Sequence, residues 1–309
     1  MSIAIDRSSD ERTPLGSPSV DFPRQLHAVI GSGKFSTVWR GVHLPSHTPV
    51  AIKKVQIYEM MDAKQRRDCL NEVRLLQSLH HPNVVRYGAA FVERNELVIA
   101  VELCDCGDLG ELILERRNMP GPAWLAEGDI WSIFSQLCSA LAHMHAHRIM
   151  HRDVKPSNVF LTADGVVKLG DLGLSRHLSS KTQNARSMVG TPYYMSPECI
   201  RGMPYEWSSD VWSLGCLLYE LGALKNPFFA EGLNYYTLGK RITSCEYDAL
   251  PPHASAELVN LVAAMLKQDA SERPSLAEVA RFAEMARAKH REKPAAPTGN
   301  ERGGARRRR

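Results

Sequence analysis

The spacing of apolar residues changes about a third of the way along the chain. Up to residue 102, short β-branched runs such as "TPVAIKKVQI" and "LVIAVEL" alternate with turns, as is typical of strands. One stretch, "DAKQRRDCLNEVRLLQSLHH", predicts a helix that begins at Asp62 and places Cys69, Val73, Leu76 and His80 on one face. Helical spacing then dominates, and we predict helices at about 108–116, 127–147, 208–224, 255–267 and 275–288. The pattern predicts an α+β protein with a β-rich first half and a larger helical second half.

Composition is that of a globular protein with reduced thiols. The 309 residues suffice for one large or two medium domains, and the 44% hydrophobic and 23% charged fractions are ordinary. The seven cysteines form no CxxC pair, which favours a cytoplasmic or nuclear protein. No run approaches 18 apolar residues and the N-terminus shows no signal pattern. We therefore expect neither a membrane span nor secretion.

Charge separates the C-terminal tail from the rest of the chain. Of the net charge of +4, the tail 288–309 carries +6, which leaves residues 1–287 near −2. The body is therefore not expected to bind nucleic acid. The tail is expected to be disordered, and either it contacts nucleic acid, an acidic partner or an import receptor, or it is simply solvated. Residues 1–21 are expected to be unstructured as well, so that one folded region spans 22–287 and divides into 22–102 and 103–287.

Residues 151–173, "HRDVKPSNVFLTADGVVKLGDLG", combine a hairpin signal with oxygen ligands. The pair Asp164-Gly165 predicts a two-residue turn. In that register Asn158 lies opposite Asp171, where an amide oxygen and a carboxylate would suit Mg²⁺. Asp153 could accept a proton, and Lys155 could neutralise a phosphate oxygen.

These motifs resemble those of protein kinases. "HRDVKPSN" is similar to the catalytic loop and "DLG" to the metal-binding DFG motif. "GSGKFSTV", "VAIKK" and "SPE" resemble the glycine-rich loop, the strand lysine motif and the APE motif, and "ERPS" supplies Arg273 as the usual partner of Glu198. The resemblance covers about residues 24–287. It implies a bilobal kinase fold, with an N-lobe at 22–102 and a hinge and helical C-lobe at 103–287.

The resemblance implies a site for ATP and Mg²⁺ between the lobes. Asp153 and Lys155 would be catalytic, and Asn158 and Asp171 would hold the metal. Lys53 would reach the phosphates and be held by Glu72. Backbone groups at Glu102 and Cys104 would bind the adenine. The other nucleotide-contacting residues implied are Ile30, Gly31, Ser32, Gly33, Val38, Ala51, Asp108 and Phe160. Ser36 replaces the third glycine of the usual loop.

The substrate class follows from the same resemblance. Lys155 two residues after Asp153, together with Thr191 in "GTPYYMSPE", is similar to serine/threonine kinases. Longer stretches, including "SMVGTPYYMSPE", resemble the NIMA-related (Nek) family and especially its short members. This implies protein substrates, a role at the mitotic spindle or microtubules, and activation by an upstream kinase or a longer Nek. Thr191 and Glu198 would belong to the platform for the substrate peptide.

Two regulatory features are expected. A phosphate on Ser187 would be read by Arg152 and Arg176, since two arginines can order a loop around a phosphate. Tyr87, with Leu76, His151 and Leu172, matches the apolar spine of kinases. It would either swing into the site and inhibit or simply pack, and the basal activity of Tyr87→Ala separates the two.

Two other classes of function stay open at this point. One is a catalytically dead kinase fold acting as a scaffold, against which intact Lys53, Asp153, Asn158 and Asp171 speak. The other is a binding protein whose arginine-rich tail is the working part. Deleting residues 288–309 separates that reading from a kinase.

Overall fold

The computed structural model describes residues 22, 24–33, 36–57, 69, 73, 76–121, 124–170 and 192–291. Five antiparallel strands form the first layer, in the order β1-β2-β3-β5-β4. Their bounds are β1 Arg24–Gly33, β2 Ser36–His43, β3 Thr48–Val55, β4 Tyr87–Glu93 and β5 Glu96–Glu102. Because successive side chains of a strand point to opposite faces, the apolar residues of the sheet form two clusters. In β5, Val98 and Ala100 face one apolar cluster, whereas Leu97 and Ile99 face another on the opposite side.

The residues of the predicted first helix cover the second of these clusters. Cys69 and Val73 are in helical conformation and buried beside Leu97 and Ile99. The prediction for His80 was wrong, because helical conformation ends at Gln77 and His80 is exposed. A turn closed by the bond from the Leu79 N–H to the Leu76 carbonyl (3.2 Å) buries Leu79 instead. Asp62, the expected first residue, lies outside the described residues.

Seven α-helices in the described ranges form most of the second layer. They are α1 Leu109–Asn118, α2 Glu127–Ala146, α3 Pro197–Ile200, α4 Trp207–Ala223, α5 Tyr235–Thr243, α6 Ala256–Met265 and α7 Leu276–Arg291. A short hairpin between α2 and α3 consists of β6 Val159–Leu161 and β7 Val167–Leu169. The α+β class and the two-part order are thus confirmed. Sequence reasoning found five of these helices and missed α3 and α5. None of the helices in the described ranges combines the length and the apolar character that a membrane crossing requires.

Helix α4 lies at the centre of the helical layer. Its residues from Ser209 to Tyr219 are all buried, including Asp210 and Trp212 at 0% exposure. A helix that is buried all round must satisfy its polar side chains internally. Asp210 and Ser213 therefore have partners in the loops that pass over the helix.

An ion pair fastens α3 to the rest of the helical layer. Arg273 donates from Nη1 and Nη2 to the two carboxylate oxygens of Glu198, at 2.9 and 2.8 Å. Its guanidinium also bonds the carbonyls of Lys267 and Ser208 and lies 5.0 Å from the centre of the Trp212 ring. Burial disfavours the Glu198 charge, but the bonds from Arg273 and Ser209 outweigh it and lower the pKa of Glu198 to about 2. This is the pair that the resemblance implies.

We expect Glu198→Gln to destabilise the fold by about 3–5 kcal/mol, because it leaves the buried Arg273 charge uncompensated. The matched control Glu284→Gln, at a carboxylate 65% exposed that pairs with Arg287, should change stability by less than about 0.5 kcal/mol. Urea denaturation at pH 7 measures both.

The pH dependence of stability provides a second readout for the same pair. Because the folded pKa of Glu198 is depressed, its stabilisation is complete above the ordinary value of 4.5 and is lost as the pH falls towards 2. Equal denaturation midpoints for the two variants at pH 7 would contradict this account.

Candidate active site

The β6–β7 hairpin has a register one residue away from the predicted one. Val159 pairs with Leu169 and Leu161 with Val167, and Gly170 donates its N–H to the carbonyl of Asn158 at 2.9 Å. The prediction that Asn158 lies opposite Asp171 was therefore wrong.

The reason is the length of the hairpin loop. It contains three residues rather than two, and it is closed by the bond from the Thr162 N–H to the Val166 carbonyl at 3.1 Å. Gly165 has φ 76°, the left-handed residue that completes such bulged loops. The register puts Gly170 opposite Asn158, and a Cβ at Gly170 would lie only 2.7 Å from the Phe160 ring. Asp171, the next residue, lies outside the described residues.

Three side chains of the loop before β6 form one hydrogen-bonded group. Lys155 Nζ lies 2.7 Å from Asp153 Oδ2. Asn158 donates from Nδ2 to the same oxygen at 3.0 Å and to the Asp153 carbonyl at 2.7 Å. Asn158 is buried, whereas the side chains of Asp153 and Lys155 are 31% and 35% exposed. The group thus combines a fixed amide with an accessible carboxylate and ammonium.

The buried carboxylate of Asp210 holds the backbone that carries this group. It accepts from the N–H of His151 at 3.0 Å and from the N–H of Arg152 at 2.9 Å. Burial opposes its charge, but the bonds from His145, Tyr205 and the Arg152 N–H keep the pKa of Asp210 below its ordinary value. Arg152 itself has φ 68°, a conformation that is strained for a residue other than glycine. The hydrogen bonds to Asp210 help to keep it there.

His151 connects the same loop to the end of the hairpin. Its Nδ1 accepts from the Asp153 N–H at 3.2 Å, so its Nε2 donates to the Gly170 carbonyl at 3.0 Å. Both ring nitrogens are used in this neutral form, and the side chain is fully buried. The residue preceding Asp171 is thereby tied to the loop that holds Asp153.

The segment after β5 passes in front of the hairpin. Glu102 accepts from Lys168 Nζ at 2.9 Å, and its N–H donates to the Arg86 carbonyl at 2.9 Å. The Leu161 N–H donates to the Gly107 carbonyl at 3.0 Å, and Asp108 forms an isolated bridge with Phe160. The predicted nucleotide-contacting residues Glu102, Cys104, Asp108 and Phe160 thus lie on connected segments, all half-buried.

Two of these residues have further properties that bear on their predicted roles. Burial, followed by the nearby Glu102 charge, raises the pKa of the Cys104 thiol to about 11. Asp108 caps α1, because its Oδ1 accepts from the Glu111 N–H at 3.0 Å. One carboxylate oxygen of Asp108 is therefore committed to the helix, and the predicted contact with the nucleotide would use the other.

The remaining predicted nucleotide residues lie on the three strands farthest from β4. Gly31 pairs with Val38, which in turn pairs with Lys53 on β3, and Ala51 is buried. A Cβ at Gly31 would stand 3.6 Å from Val38, which is ordinary contact, so packing does not itself require glycine there. Ser32 and Gly33 are exposed, as is Ile30 at 50%. Open backbone of this kind is accessible to a phosphate group.

Several predicted residues lie outside the described ones. These are Glu72, Asp171, Arg176, Ser187 and Thr191, as well as Leu172 of the expected spine. Their roles stay predictions.

The two described regulatory candidates are both half-buried. The Nε of Arg152 is buried and has no hydrogen-bond partner within the ranges that the structure covers. Tyr87 starts β4 opposite Val101 and packs against the cluster of Leu97 and Ile99 and against the core of the helical layer. Packing and inhibition both stay open for Tyr87.

Two adjacent tyrosines dock the segment that precedes Glu198. Tyr194 donates its hydroxyl to Glu220, and its carbonyl accepts from Ser213 Oγ at 2.8 Å. Burial raises the pKa values of both Tyr194 and Glu220. Tyr193 turns the other way, and its ring centre lies 5.9 Å from that of Phe229.

Sequence reasoning missed three residues that support the site. The His145 Nε2 lies 2.8 Å from the Asp210 carboxylate, and the Tyr205 hydroxyl lies 2.5 Å from it. Glu220 accepts a hydrogen bond from the Tyr194 hydroxyl. The available signal was an acidic residue within an otherwise apolar helix. Glu220 in "WSLGCLLYELGAL" had to be paired or face solvent.

Comparisons with known proteins agree with this geometry. A family model described as protein kinase domain matches residues 24–283. The chain is 39% identical to serine/threonine-protein kinase Nek1 of Mus musculus over 247 residues, which are 80% of this chain and 20% of that protein. The identity to Nek3 of Mus musculus is also 39% over 247 residues, covering 46% of that protein. The probable serine/threonine-protein kinase nek2 of Dictyostelium discoideum is 37% identical over 260 residues, covering 82% of this chain and 61% of that protein. The chain thus spans about a fifth to three fifths of these relatives.

We expect Asp210→Asn to accelerate amide hydrogen exchange in the segment 149–155 by about 10- to 100-fold. The N–H groups of His151 and Arg152 lose bonds to a charged acceptor, which are worth about 1.5–3 kcal/mol each. Exchange measured by mass spectrometry tests this. Asp248→Asn, a change at a carboxylate 70% exposed, is the control and should leave the segment unaffected. Unchanged exchange in Asp210→Asn would show that the carboxylate does not hold the loop.

Proposed function

The chain belongs to the protein kinase family, with the Nek kinases as relatives, and we propose that it transfers the γ-phosphate of ATP to serine or threonine in proteins. The observation that carries the proposal is the group of Asp153, Lys155 and Asn158, held in place through Asp210. A protein substrate with a hydroxyl acceptor would meet an accessible carboxylate there.

The described residues fit the ATP and Mg²⁺ that protein kinases use. The Nδ2 of Asn158 is bonded to Asp153, which leaves its amide oxygen available for a hard cation. Asn158 would hold the metal, together with Asp171 if that residue has its predicted role. Bound Mg²⁺ neutralises charge that develops on the transferred phosphoryl group.

The residues of the chain act mainly by position. The Asp153 carboxylate can accept the proton of a substrate hydroxyl, since it is accessible. Lys155, 2.7 Å away, fixes the carboxylate and offers its remaining N–H donors to a phosphate oxygen. Lys53 on β3, which Val38 on β2 separates from Gly31 on β1, would supply positive charge near the other phosphates. Positioning and electrostatic stabilisation are what phosphoryl transfer requires of a protein.

The test of this proposal is Asp153→Asn, which keeps the side chain's shape but removes the proton acceptor. We expect phosphate transfer from radiolabelled Mg-ATP to a serine peptide to fall by about 10²- to 10⁴-fold, the usual contribution of a general base. Nucleotide binding, measured by calorimetry, should be retained.

Asp248→Asn serves as the control for the Asp153 test and should keep full activity. Equal activity in the Asp153 variant and the wild type would refute the assignment of Asp153 and the reaction proposed for it.

Regulation by a phosphate on Ser187 is a further part of the proposal. Its support within the described residues is Arg152, whose left-handed backbone is held by Asp210 and whose buried Nε has no partner there. A phosphate with a charge of about −1.5 to −2 would supply one. Arg176 is the second expected reader.

We expect Ser187→Ala to lower activity by at least about tenfold, since one or more charge-assisted bonds to Arg152 would be lost. The comparison uses wild-type protein shown by mass spectrometry to be phosphorylated at 187. The neighbouring Ser180→Ala is the control. Full activity of Ser187→Ala beside such a wild type would rule the switch out.

The cellular role proposed is signalling at the mitotic spindle or microtubules, in the cytoplasm or nucleus, with an upstream kinase or a longer Nek as activator. Its support is the resemblance of "SMVGTPYYMSPE" and neighbouring stretches to the Nek family. A fluorescently tagged chain that stays diffuse throughout mitosis would speak against it.

A further inference from the structure

Three exposed aromatic residues lie close in sequence between α4 and the first turn of α5. Phe229, Tyr235 and Tyr236 are 40%, 51% and 78% exposed, and we call them the aromatic surface. Single exposed apolar residues are ordinary, but several from one short segment are typical of an interaction site. Tyrosine is also among the residues that dominate binding energy at interfaces.

Helix α5 holds the two tyrosines in place. Asn234 caps the helix by accepting from the Thr237 N–H at 2.9 Å, and Thr237 Oγ1 accepts from the Asn234 N–H at 3.0 Å. The buried side of the helix consists of Leu238, Gly239 and Ile242. Since this side already faces the core, Tyr235 and Tyr236 are left on the outer side of a rigid turn. Their exposure is therefore a property of the fold.

Phe229 of the aromatic surface lies against the segment that leads to Glu198. The Tyr193 ring lies 5.9 Å from the Phe229 ring, centre to centre. Helix α5 also packs on α3, where a Cβ on Gly239 would stand 3.3 Å from Ile200 Cγ2. Tyr194 fixes the same segment from the inside through Glu220. Rings that project from this neighbourhood adjoin the place where a substrate peptide would lie under the proposed function.

We propose that the aromatic surface binds an apolar segment of the protein substrate, away from the residues around the acceptor hydroxyl. This inference rests on the proposed kinase function. The three rings offer flat apolar faces, and the two tyrosines carry hydroxyl groups at their ends, which suits apolar side chains on an extended chain. The contact of Phe229 with the segment that leads to Glu198 argues for the substrate itself as the occupant.

The primary experiment measures binding without catalysis. The double variant Tyr235→Ser, Tyr236→Ser is made in the Asp153→Asn chain, and its Kd for immobilised dephosphorylated β-casein, an extended acceptor protein, is compared with that of Asp153→Asn alone. We expect the Kd to rise about tenfold, as for the loss of tyrosines at the centre of an interface. Met285→Ser, which removes a 73% exposed apolar residue on α7, is the matched control and should change the Kd less than twofold.

A second measurement uses the chain with Asp153 intact. The double variant should lower kcat/KM for β-casein about tenfold, through KM, while kcat/KM for a serine peptide of about 12 residues stays within twofold. An unchanged Kd, or an equal loss with casein and peptide, would overturn the proposal. So would a change of sedimentation behaviour with no change of casein affinity, which would assign the surface to contacts between copies of this chain.

The two proposals fail in different ways. If the wild type phosphorylated neither casein nor the peptide, the proposed function would fall. The Kd comparison in the Asp153→Asn chain would still decide whether the aromatic surface binds the acceptor protein.

Discussion

The carboxylate of Asp210 has no contact with solvent and yet organises the loop that carries the candidate active site. An ionised group in such a place is tolerated only when donors surround it, and here two backbone N–H groups, an imidazole and a phenol do so. The loop from His151 to Asn158 depends on this carboxylate for its shape. The Asp153 side chain is accessible to a substrate, whereas the Asp210 carboxylate that holds its loop is fully buried.

A second buried charge performs the corresponding task for the segment from Pro192 to Ile200. Arg273 joins Glu198 to the carbonyls of Lys267 and Ser208 and packs on Trp212. Tyr194 adds a contact to Glu220 on α4. Both the loop from His151 to Asn158 and the segment from Pro192 to Ile200 are therefore fastened to one helix. A disturbance of α4 would move the two together, which keeps their relative position constant.

Local patterns in the sequence were sufficient for the layers but not for register or short helices. The strands alternate with period two, and apolar residues recur at helical spacing in five of the helices, so both kinds of element could be predicted. The hairpin was misjudged by one residue because Asp164-Gly165 suits a two-residue turn as well as the bulged loop, and the choice depends on Thr162 and on the Phe160 ring against Gly170. Helix α5 was missed because Gly239 and two exposed tyrosines interrupt its apolar pattern, although the Asn234–Thr237 cap was a recognisable signal. The partners of Asp210 come from distant parts of the chain, which no local pattern reveals.

The thiol of Cys104 gives the segment after β5 a chemical character of its own. With a pKa of about 11, only about one molecule in ten thousand carries a thiolate there at pH 7. The thiolate is the form that reacts with oxidants and electrophiles, so this sulfur reacts slowly in spite of its partial exposure. Cys106, two residues on, is exposed to solvent. An alkylating reagent would therefore modify Cys104 slowly, and a nucleotide site built here would tolerate mild oxidative stress.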